Sequence, residues 1–227
     1  MAGAAPIHDL IGTAFAGTSN NRLLIGEILV RKTADGFMLS HRDDETREDL
    51  RLFRDPKDAL GIARFDDSES YRPLRTAPNL RHGWRLELVS VDQVELALAY
   101  FYPGRMPVFE VWKKRQVHTT PLRETLNRQS GMYRVAAKIS DADLNKVVAD
   151  FCRSDGGCLR TILWKRDQSG AVASSGLPPE KFDPDCDQFT GKAKTDGAAL
   201  IPLLCQESCN LLVNECRKAV QRRSAEP

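Results

Sequence analysis

The first 151 residues of this 227-residue chain contain no cysteine. That excludes both a disulfide framework and a thiolate metal site from two thirds of the sequence. A surplus of charge is missing too: 33 Lys and Arg stand against 31 Asp and Glu, for a net charge of +2. General nucleic-acid or membrane-surface binders carry a broader basic excess, so neither partner is expected. No run approaches the ~20 apolar residues that span a bilayer. Met1–Asn20 has no basic start and carries His8 and Asp9 within its apolar run, so it does not read as a secretory leader. A cytoplasmic location is the resulting expectation, and there grouped cysteines hold metal more often than they form disulfides.

Catalytic signatures are equally scarce. There is no phosphate-cradling glycine loop, no Gly-x-Ser-x-Gly and no HExxH. The four histidines, His8, His41, His82 and His118, are widely separated, and each reads as lacking a local ligand partner. Surface or hydrogen-bonded roles are the expectation for each. No catalytic residue is assigned, and the chain reads as a binding protein before it reads as an enzyme.

What is present begins with a strand pattern. Arg22–Arg31 alternates leucine and β-branched residues, Thr33-Ala34-Asp35-Gly36 supplies a turn, and Phe37–His41 follows, which together predict a hairpin. Leu50–Phe53 and Trp84–Val89 read as further strands. Asp55-Pro56 opens a helix to Phe65, and Asp92 caps another that Pro103-Gly104 ends. Met106–Gln116 fits a short helix or a short strand. Thr120-Pro121 starts a helical stretch over Leu122–Gln129, and Ser140 caps a helix that delivers Cys152. Residues 166–199 form a long polar segment, after which Pro202 opens a last helix to about Val220. The predicted fold class is α+β. A tail over 1–20 precedes a small, mainly antiparallel sheet domain with helices over 21–116, and a mostly helical, loop-rich, cysteine-containing domain covers 117–227.

The six cysteines are Cys152, Cys158, Cys186, Cys205, Cys209 and Cys216. Cys152-x5-Cys158 and Cys205-x3-Cys209 form two pairs. On a continuous last helix, Cys205 and Cys209 share a face one turn apart, while Cys216 lies about 16 Å along the axis from Cys205, too far for one compact centre. Cys216 therefore reads as a small buried hydrophobe. Asp155-Gly156-Gly157 lets the backbone fold closely round an inorganic core. Cys186 sits among acids in FDPDCDQF, which raise a thiol's pKa, and reads as a loop residue. Cys152, Cys158, Cys205 and Cys209 are the expected ligands of a [4Fe–4S] cluster. Structural zinc is the competing reading, although the sequence lacks the paired C-x2-C knuckles of most such sites. A C-x3-C-x2-C radical motif fails because Leu212 holds its third position.

Four segments add a resemblance: YRPLRTAPNLRHGWRLEL (Tyr71–Leu88), PLRETLNRQSGMYRVA (Pro121–Ala136), GGCLRTILW (Gly156–Trp164) and IPLLCQESCNLLV (Ile201–Val213). They resemble the accessory modules of multi-module sirohydrochlorin cobaltochelatases, a stabilising α+β domain followed by a [4Fe–4S] domain, without the chelatase module. The resemblance implies a [4Fe–4S] cluster held by the two cysteine pairs. It also implies a link to cobalamin or sirohaem-type tetrapyrrole metabolism, with a chelatase or redox partner and electron transfer as the roles to test. An enzyme working at an open iron and a zinc-holding interaction module are the alternatives. Arg75, Arg81 and Arg85, with Arg123, Arg128 and Arg134, suit recognition of a polycarboxylate tetrapyrrole, but salt bridges at a domain interface are the simpler reading.

Overall fold

A computed structural model of the chain describes residues 7–16, 18, 20–73, 79–108, 122–152, 198–201, 203 and 209–225. The segment expected to be one strand before the Asp-Gly turn folds as two. Strand β1 (Arg22–Ile25) reverses at Gly26-Glu27 into β2 (Ile28–Thr33), with Ile25 opposite Ile28. Gly26 has φ +58, and a Cβ there would lie 2.7 Å from Leu203 Cδ1 and 2.8 Å from the Tyr102 hydroxyl. Glycine is thus required twice over, by conformation and by space. Strand β3 (Gly36–His41) returns antiparallel to β2, completing the expected second hairpin.

Strands β4 (Arg51–Phe53) and β5 (Trp84–Leu88) extend the sheet on one side, and β6 (Ala199–Ile201) adds to the other. The order is β4-β5-β3-β2-β1-β6. The four central strands pair antiparallel, while β4 and β6 each join an edge in parallel. Along β5, Trp84, Leu86 and Leu88 are buried and alternate with half-buried Arg85 and Glu87, the period-2 pattern of a sheet with one packed face.

Helix α1 (Ile7–Ala16) corrects the expectation of an N-terminal tail. Its Leu10, Ile11 and Phe15 are buried, and it packs on α3 (Val91–Phe101), β1 and β6. These three residues form one face of an amphipathic helix. Helix α2 (Asp58–Arg64) also packs on α3. The Asp55 carboxylate accepts the Lys57 N–H at 2.9 Å in the turn leading into α2. The cap of α3 is Ser90, whose hydroxyl accepts the Gln93 N–H at 3.3 Å; Asp92 instead lies in the first turn, where its charge meets the helix's positive end. Trp84 stacks on Phe101 at 5.0 Å between ring centroids and joins sheet to helix. Residues 106–108 are helical, and the rest of the Met106–Gln116 segment lies outside the described residues.

The described residues divide into two compact units. The first holds those up to 108 together with 198–201 and 203; the second holds 122–152 and 209–225. In the second unit, α4 (Leu122–Asn127) leads to a 3₁₀ segment (Gly131–Lys138), then α5 (Asp141–Cys152) and α6 (Asn210–Ala225). Helix α6 packs on both the 3₁₀ segment and α5. The last helix starts at Asn210, not Pro202, and a strand at Ala199–Ile201 lies where the polar segment was expected to end. The protein is thus an α+β fold, with a mixed sheet in one unit and a helical second unit. Among the described residues, no helix is long and apolar enough to cross a membrane.

Candidate metal centre

The first ligand of the expected set is delivered by α5. Ser140 accepts the Asp143 N–H at 3.2 Å, and its own hydroxyl donates to the Asp143 carboxylate at 2.6 Å. Arg223, near the end of α6, donates to the same carboxylate at 2.6 Å and to the Ser140 hydroxyl at 3.2 Å. These bonds, Ser140's first and Arg223's second, hold the Asp143 carboxyl below its ordinary range. Arg123 ties the same corner by donating to Asp141 and to the carbonyls of Ala137 and Ile139. From this fixed start, α5 runs to Cys152, which is buried.

Cys209 stands immediately before α6. Its sulfur accepts the Leu212 backbone N–H at 3.4 Å, and its carbonyl accepts that of Val213 at 3.2 Å. It therefore occupies the N-cap, with sulfur where serine or aspartate oxygen usually sits. Cys152 and Cys209 each lie at the end of their helix away from the Arg223–Asp143 tie.

Cys216 differs in kind. It lies two turns into α6, fully buried, and burial pushes its thiol up to about 12. The expected role of Cys216 as a small buried hydrophobe agrees with that burial. Cys158, Cys186 and Cys205 lie outside the described residues, as do His118 and Arg75. Because α6 begins at Asn210, the expectation that Cys205 and Cys209 share a face of one continuous helix has no support among the described residues.

The arginines fall within units. Arg128 pairs with Glu124 one turn back on α4, and Arg85 lies 3.6 Å from Glu87 on its own strand. Arg123 is committed to the start of α5, so each of these described contacts lies within its own unit.

Sequence separation hid one cluster. His41 ends β3 and His82 lies two residues before β5, its antiparallel neighbour, so the sheet brings their rings to 3.8 Å between centroids. The carboxylates of Glu27 and Asp43 lie 3.5 and 3.9 Å from His41, and that of Asp44 lies 3.2 Å from His82. Burial works to raise the Asp44 carboxyl, but hydrogen bonds from the Gly83 N–H, His82 and Arg47 outweigh it and hold the group below its ordinary value. The spacing His41-x-Asp43 at a strand end was the available signal, but it became readable only with the β3–β5 pairing.

Two family models match the chain, end to end. Residues 13–115 match the DR2241 stabilising domain, and residues 114–218 match a 4Fe-4S iron-sulfur cluster binding domain. The chain thus matches a stabilising-domain model followed by an iron–sulfur-domain model. The cofactor is a [4Fe–4S] cluster. The described cysteines fit it: two sulfurs stand at helix termini of one unit, and one of them already accepts a backbone N–H, the kind of bond that supports a cluster thiolate. Among solved structures, DR2241 from Deinococcus radiodurans is similar, at 27% identity and a TM-score of 0.71 over 95% of this chain. It is described as a multi-domain protein with structural similarity to chelatases and two additional novel domains. The present chain covers 42% of that protein. No curated protein matches the chain.

Proposed function

We infer that this protein is the cluster-carrying accessory of a chelatase in tetrapyrrole metabolism, either exchanging electrons through its cluster or stabilising the chelatase complex. The observation that carries this reading is the domain pair itself. A stabilising domain joined to a [4Fe–4S] domain is what the chain shares with a chelatase-like multi-domain protein. In this reading the shared part corresponds to that protein's two additional domains, divided near residue 116, and a partner chelatase carries out metal insertion.

Cys152, Cys158, Cys205 and Cys209 are the proposed ligands. Four thiolates saturate the four irons, which suits electron exchange or a structural role better than substrate chemistry at an open iron. The chain's own residues hold the sulfurs: Ser140 and Arg223 fix the start of α5, and the first turn of α6 offers its N–H groups to Cys209.

The test is cobalt insertion into sirohydrochlorin, followed by absorption. The purified chain alone should insert no cobalt. Added to a sirohydrochlorin cobaltochelatase, it should form a complex visible by sedimentation. Efficient insertion by the chain alone, lost in His82→Ala, would make it an enzyme and overturn the reading.

A further inference from the structure

We propose that His41, Asp43 and His82 form a binding site for one divalent transition-metal ion of the zinc or cobalt class, in the sheet unit and separate from the cluster. Ligand atoms of these three residues all lie within 4.8 Å of one another, so one ion can reach them all.

The hydrogen-bond network fixes which nitrogens can ligate. The Asp43 N–H donates to His41 Nδ1 at 3.2 Å, so Nδ1 carries no proton. The proton is then on Nε2, which faces the Glu27 carboxylate at 3.5 Å. Glu27 is itself held by the Leu80 N–H at 3.0 Å. For His82, the Nδ1 proton points to buried Asp44 at 3.2 Å, and Asp44 also accepts the Gly83 N–H at 2.7 Å. Each imidazole therefore gives one N–H to an anchored carboxylate; Nε2 of His82 is left as its unprotonated nitrogen, and Nδ1 of His41 carries the lone pair that the Asp43 N–H now occupies. This is the outer arrangement that orients metal-binding histidines.

Charge and access agree. Around the rings stand the carboxylates of Glu27, Asp43, Asp44 and Asp67, the last 3.8 Å from His82 Nε2, against the guanidiniums of Arg42 and Arg47. The balance is negative and suits a divalent cation. The His41 side chain is only 2% exposed, but those of His82 and Asp43 are 36% and 45% exposed, so the site opens to solvent on one side. A bound ion would replace the long Asp43 N–H contact to His41, which is weak beside a metal–imidazole bond. Two imidazoles and a carboxylate suit zinc or cobalt better than magnesium or calcium, which prefer oxygen.

The test uses the full chain with its cluster assembled, equilibrated with micromolar Zn²⁺ and desalted, with zinc, iron and sulfide counted together. One zinc per chain is expected on top of unchanged iron and sulfide. Asp43→Asn, at an exposed side chain, and His82→Asn, at a half-buried one, should each weaken zinc binding at least about 10-fold with iron unchanged. Co²⁺ in place of zinc should give only weak d–d bands, as nitrogen and oxygen ligands require. No zinc in the wild-type chain, equal zinc in both variants, or an intense thiolate charge-transfer band with Co²⁺ would each overturn the proposal.

Discussion

The sulfur of Cys209 accepts the backbone N–H of Leu212, which places a candidate cluster ligand at the positive end of the 16-residue helix α6. The relationship separates ligation from folding. Serine is as good an N-cap as any residue, so Cys209→Ser should keep the helix start while removing the thiolate. The expected outcome is loss of the cluster absorption with little change in helical content. Cys216→Ala, by contrast, should keep the cluster. Cys216→Ser should keep it too, at a cost of about 1–3 kcal/mol for burying a hydroxyl without an assigned partner, read from denaturant midpoints. Retention of iron in Cys209→Ser would remove that residue from the ligand set.

The sheet unit should outlast the cluster. Metal binding contributes folding free energy where its ligands are, and none of the expected ligands lies in the sheet. On anaerobic iron chelation, amide hydrogen exchange should accelerate in α5 and α6 and stay slow in β1, β2 and β3. Strand β6 is the sharper probe: it lies between the cysteine segments in sequence but pairs with β1, Leu24 opposite Leu200. It should stay protected. Loss of protection in β6 together with α6 would mean that the two units unfold as one.

How far the sequence could be read follows from where the information lies. Period-2 alternation and Asp-Gly exposed the hairpin, and Ser140 with its two following aspartates marked the start of α5. Three features needed the tertiary structure. Helix α1 was hidden because Leu10, Ile11 and Phe15 look like a scattering of apolar residues until α3 and the sheet give them a face to cover. Ala199–Ile201 is too short to be recognised as a strand, and its partner is 176 residues away in sequence, Leu23 opposite Ala199. His41 and His82 became neighbours only through the pairing of β3 with β5. For the cluster, the uneven cysteine distribution was legible at once, since sulfur placement carries chemistry without needing a fold.

Helix α1 should therefore matter for stability. Leu10 and Ile11 are buried, and replacing either by alanine should cost about 2–5 kcal/mol, the usual range for such truncations in a core. Denaturant unfolding of the full chain measures this. A change within about 0.5 kcal/mol would return the segment to the status of a tail.

Acid should loosen the β3–β5 corner in a defined direction. The Asp44 carboxyl is held below its ordinary value of 3.8 by Gly83, His82 and Arg47 against the opposing effect of burial. Its contribution is therefore fully present above 3.8 and is lost as pH falls through the lower folded value. Hydrogen exchange at Gly83 and along β5 should rise across that acid window in the wild-type chain and show a flatter pH dependence in Asp44→Asn. An identical profile in the two proteins would show that the carboxylate holds nothing.

The claim on which the rest depends is a single [4Fe–4S] cluster on four cysteines. Iron and acid-labile sulfide, counted on anaerobically purified protein, should each come to about four per chain, as a cubane requires. Both should fall sharply in Cys152→Ala, Cys158→Ala, Cys205→Ala and Cys209→Ala. Stoichiometric zinc without sulfide in the wild-type chain, or full iron and sulfide in any of those four variants, would contradict the account.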